Sequence, residues 1–157
     1  MPLNQDKVRA ALERAGRSLI TDLQASMAAK GANATGKTSR SLAYSITFSP
    51  NAVQFLLTGG TGWAFVEQGR GPTRRDGPGD VYRAIEEWAA ARGIPQTRVP
   101  GIVKTIHEKG TRLHRLGVRR DIYTSVITDK RIALITEGVG IIAERETASD
   151  IVQAFRP

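Results

Sequence analysis

Near Arg40 the apolar residues stop recurring at helical spacing and begin to alternate, and this change of period confines the chain to a mixed fold of helices on a small sheet. Before it, Val8, Leu12, Leu19, Leu23 and Met27 recur at helical intervals, with Ala11, Ala15 and Ile20 beside them. The spacing predicts an amphipathic helix over about residues 5–30, started by Asn4 or Asp6 and stopped by Gly31. After it, Leu42, Tyr44, Ile46 and Phe48 alternate with Ala43, Ser45 and Thr47. Pro50-Asn51 turns the chain, and Val53, Phe55 and Leu57 alternate again before Gly59-Gly60, which makes a hairpin. Trp63 to Glu67 reads as either a third short strand or a helical turn.

Residues 69–79 combine four glycines with Pro72, Pro78, Arg70, Arg74 and Arg75, a composition that predicts a loop. Asp80 then caps a helix striped by Val81, Ile85, Trp88 and Ala89 and stopped by Gly93 and Pro95. A further helix from about Pro100 carries Val99, Ile102, Val103 and Ile106 on one side and ends at Gly110. A basic connection over 111–120 holds Arg112, Arg115, Arg119 and Arg120. Beyond it, Ile122, Val126, Ile132, Ile135, Val139, Ile142, Val152 and Phe155 stripe a helical arm over about 121–156. Gly138 and Gly140 each cost such a helix about 1 kcal/mol relative to alanine. A pair of strands, 131–136 and 139–144, is the competing reading; the helix is preferred because Asp129 suits its start. The expectation is one α+β domain over 1–157, in which helices cover a hairpin too small to stand alone.

The formal charge of +8 is unevenly spread. Twelve basic side chains face six acidic ones over 61–120, whereas four face six over 121–157. A basic middle favours polyanions or acidic protein surfaces as neighbours. With no cysteine, a disulfide framework, thiolate metal sites and cysteine catalysis are excluded. No apolar run reaches the roughly eighteen residues of a membrane span, and the segment from Met1 to Lys7 has no signal-peptide core, so neither membrane insertion nor signal-directed export is expected.

The most conspicuous motif is Gly31-Ala-Asn-Ala-Thr-Gly36-Lys37-Thr38, which satisfies the phosphate-loop pattern. That chemistry needs a buried strand entering the loop and a helix leaving it, so that amides and helix dipole meet the phosphates. Here a helix enters and an alternating segment leaves, which argues for a lysine-bearing turn instead of a nucleotide site. Asn33-Ala-Thr35 spells a glycosylation acceptor that has no meaning without a secretory signal. His107 and His114 lack the partners of a zinc site and are expected in solvent or loops. Glu86 and Glu87 are adjacent on a helix and point to different faces, so they form no acid–base pair. No catalytic, cofactor or metal residue is assigned. Arg70, Arg74, Arg75, Arg112, Arg115, Arg119 and Arg120 are the candidate interaction residues; they lack the interleaved aromatics of single-strand nucleic-acid binders.

The N-terminal helix, Thr35-Gly36, Ser41-Leu42, the hairpin and Val66-Glu67-Gln68-Gly69-Arg70-Gly71-Pro72 follow one another in an order that resembles the tail-completion or neck (head-to-tail connector) proteins of tailed phages and prophages. Asn33-Ala34 stands where an acidic residue is usual in that family, and the helical C-terminal half is longer. The resemblance implies an α+β subunit with no catalytic residues and no cofactor. It further implies a homo-oligomeric ring, hexamer or dodecamer, between the portal–adaptor complex and the tail, in a virion assembled in the bacterial cytoplasm. Neck, tail terminator and adaptor all remain open as its station, as does contact of the basic loops with packaged DNA. A basic nucleic-acid-binding protein is the alternative, and a phosphate-loop nucleotide-binding protein the remote one.

Overall fold

The computed structural model describes the backbone of residues 5–50, 52–73 and 80–154, with side chains as far as residue 143. Helix α1 (Gln5–Ala29) leads through a short turn into α2 (Lys37–Arg40), then strands β1 (Ala43–Ser49) and β2 (Ala52–Thr58). A 3-10 turn (Thr61–Phe65) precedes α3 (Asp80–Ala91), a second one (Gln96–Arg98) precedes α4 (Val99–Lys109), and α5 (Arg112–Leu116) and α6 (Asp129–Ala154) complete the chain.

The strands pair antiparallel with Tyr44 opposite Leu57, Ile46 opposite Phe55 and Phe48 opposite Val53. One face of the hairpin is therefore apolar, and α1 packs on it. The approach is close at Gly16, where an added Cβ would lie 2.7 Å from the Tyr44 ring. Tyr44 stacks on Phe55 with centroids 5.7 Å apart, and the Arg9 guanidinium lies 4.9 Å from the Phe48 centroid. Val8, Leu12, Leu19, Leu23 and Met27 are all buried, the stripe that the sequence spacing predicts.

Apolar packing falls into two clusters. Leu23, Met27, Leu42 and Ile122 form the first, with Leu57, Trp63, Val66 and Tyr123 against them. Ala89, Val99 and Val103 form the second, under Val81, Tyr82, Ile85, Trp88 and Ile94. Polar links tie α3 to the turn after α1: Arg92 Nη2 donates to the Gly31 carbonyl at 3.0 Å, and Lys37 Nζ lies 2.6 Å from Glu87 Oε1.

Three expectations are corrected. The basic connection over 111–120 contains a helix, α5, held between the extended Thr111 and the left-handed Gly117. The segment after Thr38 makes one helical turn, α2, before it becomes a strand, because Gly36 takes a left-handed φ of 70° and Arg40 N and Ser41 N bond back to Gly36 O and Lys37 O. The helical arm begins at Asp129, not near 121; Ile122 sits in the preceding turn and is fully buried in the first cluster instead of striping the helix. Of the two readings of Trp63 to Glu67 the helical turn is the one found: Trp63 lies in a 3-10 turn, and the sheet has two strands among the described residues.

The rest agrees. Gly31, Gly93 and Gly110 all take positive φ where helices were expected to stop. Residues 131–143 are helical, not a strand pair, with Gly138 and Gly140 inside α6. Asn4, Asn51, Arg74, Arg75 and Pro78 lie outside the described residues.

Helix α6 packs along α1, where Arg131 Nη2 meets Asp22 Oδ2 at 2.6 Å and Ser18 Oγ at 2.9 Å. Between α1, β2 and α6 an apolar groove of about 400 Å³ is lined by Leu12, Phe55, Ile135 and Val139 among others. Ile132 (50%), Leu134 (59%) and Ile141 (42%) are left exposed on the same helix. Among the described residues no helix is long and apolar enough to cross a membrane.

Candidate interaction cleft

The segment from Val66 to Thr73 organises the basic half of the molecule. Trp63, in the 3-10 turn, packs against Tyr123 with centroids 5.3 Å apart, and Val66 joins the first cluster. Glu67 is thereby carried into the interior and is fully buried. A buried carboxylate is costly unless its oxygens are hydrogen-bonded. Its Oε2 accepts from the backbone amides of Tyr123 (2.9 Å) and Thr124 (3.2 Å), and its Oε1 from the Thr124 hydroxyl at 2.9 Å. Arg119 Nε stands 3.9 Å from Oε1, and the Glu67 carbonyl accepts from Arg120 N at 2.9 Å. One residue thus clamps the chain from Arg119 to Thr124.

Gly69 follows at φ 76°, a conformation that side chains resist. An added Cβ would also come within 2.8 Å of His114 N and collide with the Thr111 hydroxyl. The next residues lie as a strap over the junction of α4 and α5. Arg70 N donates to Thr111 Oγ1 at 3.0 Å, Arg70 O accepts from Thr111 N at 2.9 Å, and Thr73 N donates to His107 O at 2.9 Å. Thr73 Oγ1 and His107 Nδ1 are 2.6 Å apart. His107 is therefore half-buried in packing, not solvent-facing, and its Nε2 is buried without a hydrogen-bond partner among the described residues. His114 is exposed on α5, as expected.

Between the two apolar clusters this arrangement leaves an open cleft of about 750 Å³. Its floor is apolar, with Ala32 and Val66 from one cluster, Ile85 and Trp88 from the other, and Ile102 of α4. Its polar rim carries Arg98, Arg112, Arg115 and Arg120, and among the described residues no aspartate or glutamate lines it. An open bowl rimmed by four guanidinium groups suits a partner that is apolar at its centre and anionic at its edge.

The structure brings Gly69, Arg112, Arg115 and Arg120 to this cleft. Arg70 sits beside it, its guanidinium 5.6 Å from the centroid of Phe65, itself a lining residue. Arg119 is turned toward Glu67, and Pro72 is exposed in the strap. Arg98 and Trp88 are the residues that sequence reasoning missed: Arg98 occupies a three-residue 3-10 turn with no period, and Trp88 reads as helix core because its stripe is shared with Ala89.

Thr35 and Gly36 stand apart from the cleft. Arg40 Nη2 donates to Thr35 O at 3.1 Å, and Lys37, the lysine of the phosphate-loop pattern, is paired with Glu87. The backbone of Thr38 is held through Ser41 Oγ at 2.7 Å. Helix α1, not a strand, enters this turn, and the four-residue α2 is too short to build a dipole of consequence. Among the described residues no group of three His, Asp or Glu side chains is placed to hold a metal ion.

Comparison with known protein families, with characterised proteins and with solved structures gives no match to this chain.

Proposed function

We propose that this chain is a non-enzymatic structural subunit of a tailed-phage particle, a tail-completion or neck protein that forms a ring between the portal–adaptor complex and the tail. The observation that carries the reading is α6. It is a helix of 26 residues that packs on α1 while exposing Ile132, Leu134 and Ile141, which is how an element made for a neighbouring subunit presents itself. The motif behind the resemblance, Val66 to Pro72, has a physical role in the same direction: it fixes the basic cleft in shape. A closed ring uses heterologous contacts, in which one patch meets a different patch on the next copy, and the cleft and α6 are two such patches.

Light scattering and negative-stain imaging of the full chain, alone and with portal and tail proteins, test the reading. A hexamer or dodecamer is expected, and a monomer under every condition overturns it. The four-arginine rim favours a second reading, a nucleic-acid-binding protein. That reading requires DNA affinity whose logarithm falls with log salt at a slope of about −3 to −4, the value for four neutralised phosphates.

A further inference from the structure

We infer that the arginine cleft of one copy receives the acidic C-terminal part of α6 from the next copy. The inference rests on the ring reading and names the contact that closes it. The cleft combines an apolar floor with Arg98, Arg112, Arg115 and Arg120, so its occupant must bring apolar side chains and carboxylates together. The chain supplies such a segment. From Glu137 to Ala154 four carboxylates, Glu137, Glu144, Glu146 and Asp150, stand against the single Arg145, interspersed with Ile141, Ile142, Ile151 and Val152. The backbone is helical through Ala154, so these acidic and apolar residues belong to one helix.

Geometry keeps the end of this segment from serving its own core. Arg131 is paired with Asp22, while Val139 and Leu12 line one groove, so α6 runs antiparallel to α1. At about 1.5 Å per residue for both helices, the last two turns of α6 extend beyond the first residue of α1. Among the described residues none from α6 lines the cleft of its own copy. Nucleic acid fits the cleft less well, since aliphatic side chains such as Ile85, Ile102 and Val66 make up much of the floor, where stacking platforms would be aromatic.

The absence of cysteine allows a direct test. Thr97→Cys on the exposed lining of the cleft and Ala148→Cys on α6 are introduced into isotopically light and heavy copies of the full chain, which are mixed and treated with a short bis-maleimide. A light–heavy crosslink between positions 97 and 148 is expected, lost in R112E/R115E and regained when that cleft is paired with E146K/D150K. A crosslink confined to one copy overturns the inference, as does failure of the charge swap to restore it. A ring without the crosslink overturns the inference and leaves the ring reading standing. The crosslink found in open chains of copies supports the inference and removes the ring. Salt-sensitive binding of a DNA duplex that is lost in R112E/R115E, with assembly unchanged, assigns the cleft to nucleic acid and overturns the inference.

Discussion

At the scale of single residues, two positions of the Val66-to-Pro72 segment decide the shape of the basic half. Glu67 is a buried carboxylate whose oxygens hold two backbone amides and a hydroxyl, and hydrogen bonds to a charged acceptor are worth about 1.5–3 kcal/mol each. Glu67→Ala leaves those donors unpaired, so it is expected to destabilise the chain by about 3 kcal/mol, read as a lower urea midpoint at an unchanged slope. Glu67→Gln keeps one acceptor oxygen and should lose less. Gly69→Ala forces a side chain into positive φ against His114 N, at a cost of about 2 kcal/mol or more, and a fall in Tm of several degrees checks it. Neither role is visible in the sequence. A glutamate is ordinarily read as exposed, and only the three-dimensional closeness of Glu67 to Tyr123 and Thr124, more than fifty positions away, shows otherwise.

At the scale of elements, legibility followed length. Helices α1, α3 and α4 and both strands announce themselves, since each spans enough residues for a period to repeat and most end on a residue that stops them, whereas α6 competes with a strand pair because Gly138 and Gly140 interrupt its stripe. Helices α2 and α5 do not, being four and five residues long, and they exist because Gly36 and Gly117 bend the chain and tertiary contacts hold it there. Ile122 was misassigned for a related reason: a spacing that suits a helix also suits a turn that happens to point one side chain inward. Gly138 and Gly140 weaken α6 without serving any contact, because a Cβ at either meets nothing within 4 Å. Gly138→Ala and Gly140→Ala should each stabilise α6 by about 1 kcal/mol, measured as raised helicity and Tm of the full chain. Lys37→Ala removes a partly exposed ion pair with Glu87 and is expected to cost no more than about 1 kcal/mol, to leave assembly intact and to reveal no ATP or GTP binding lost from the parent protein; nucleotide binding abolished by the substitution would contradict the reading of this turn.

At the scale of the whole molecule, the cleft is legible only in part. The sequence marked Arg112, Arg115 and Arg120 by their clustering, yet the apolar floor comes from residues that periodicity assigns to a core, and a bowl between two small clusters has no linear signature. Assembly through a rim of guanidinium groups should weaken with salt, so the oligomer is expected to dissociate at lower protein concentration in 0.05 M than in 0.5 M sodium chloride if ion pairs dominate, and the reverse if apolar contacts do; sedimentation at both salts separates them, and the ion-pair order is the expected one. One carboxylate grips the stretch joining the basic rim to the root of the terminal helix. Rim and root are therefore the two ends of a single lever; in the ring proposed above, load applied at one end would be felt at the other, and the closed array would stiffen as a unit instead of joint by joint.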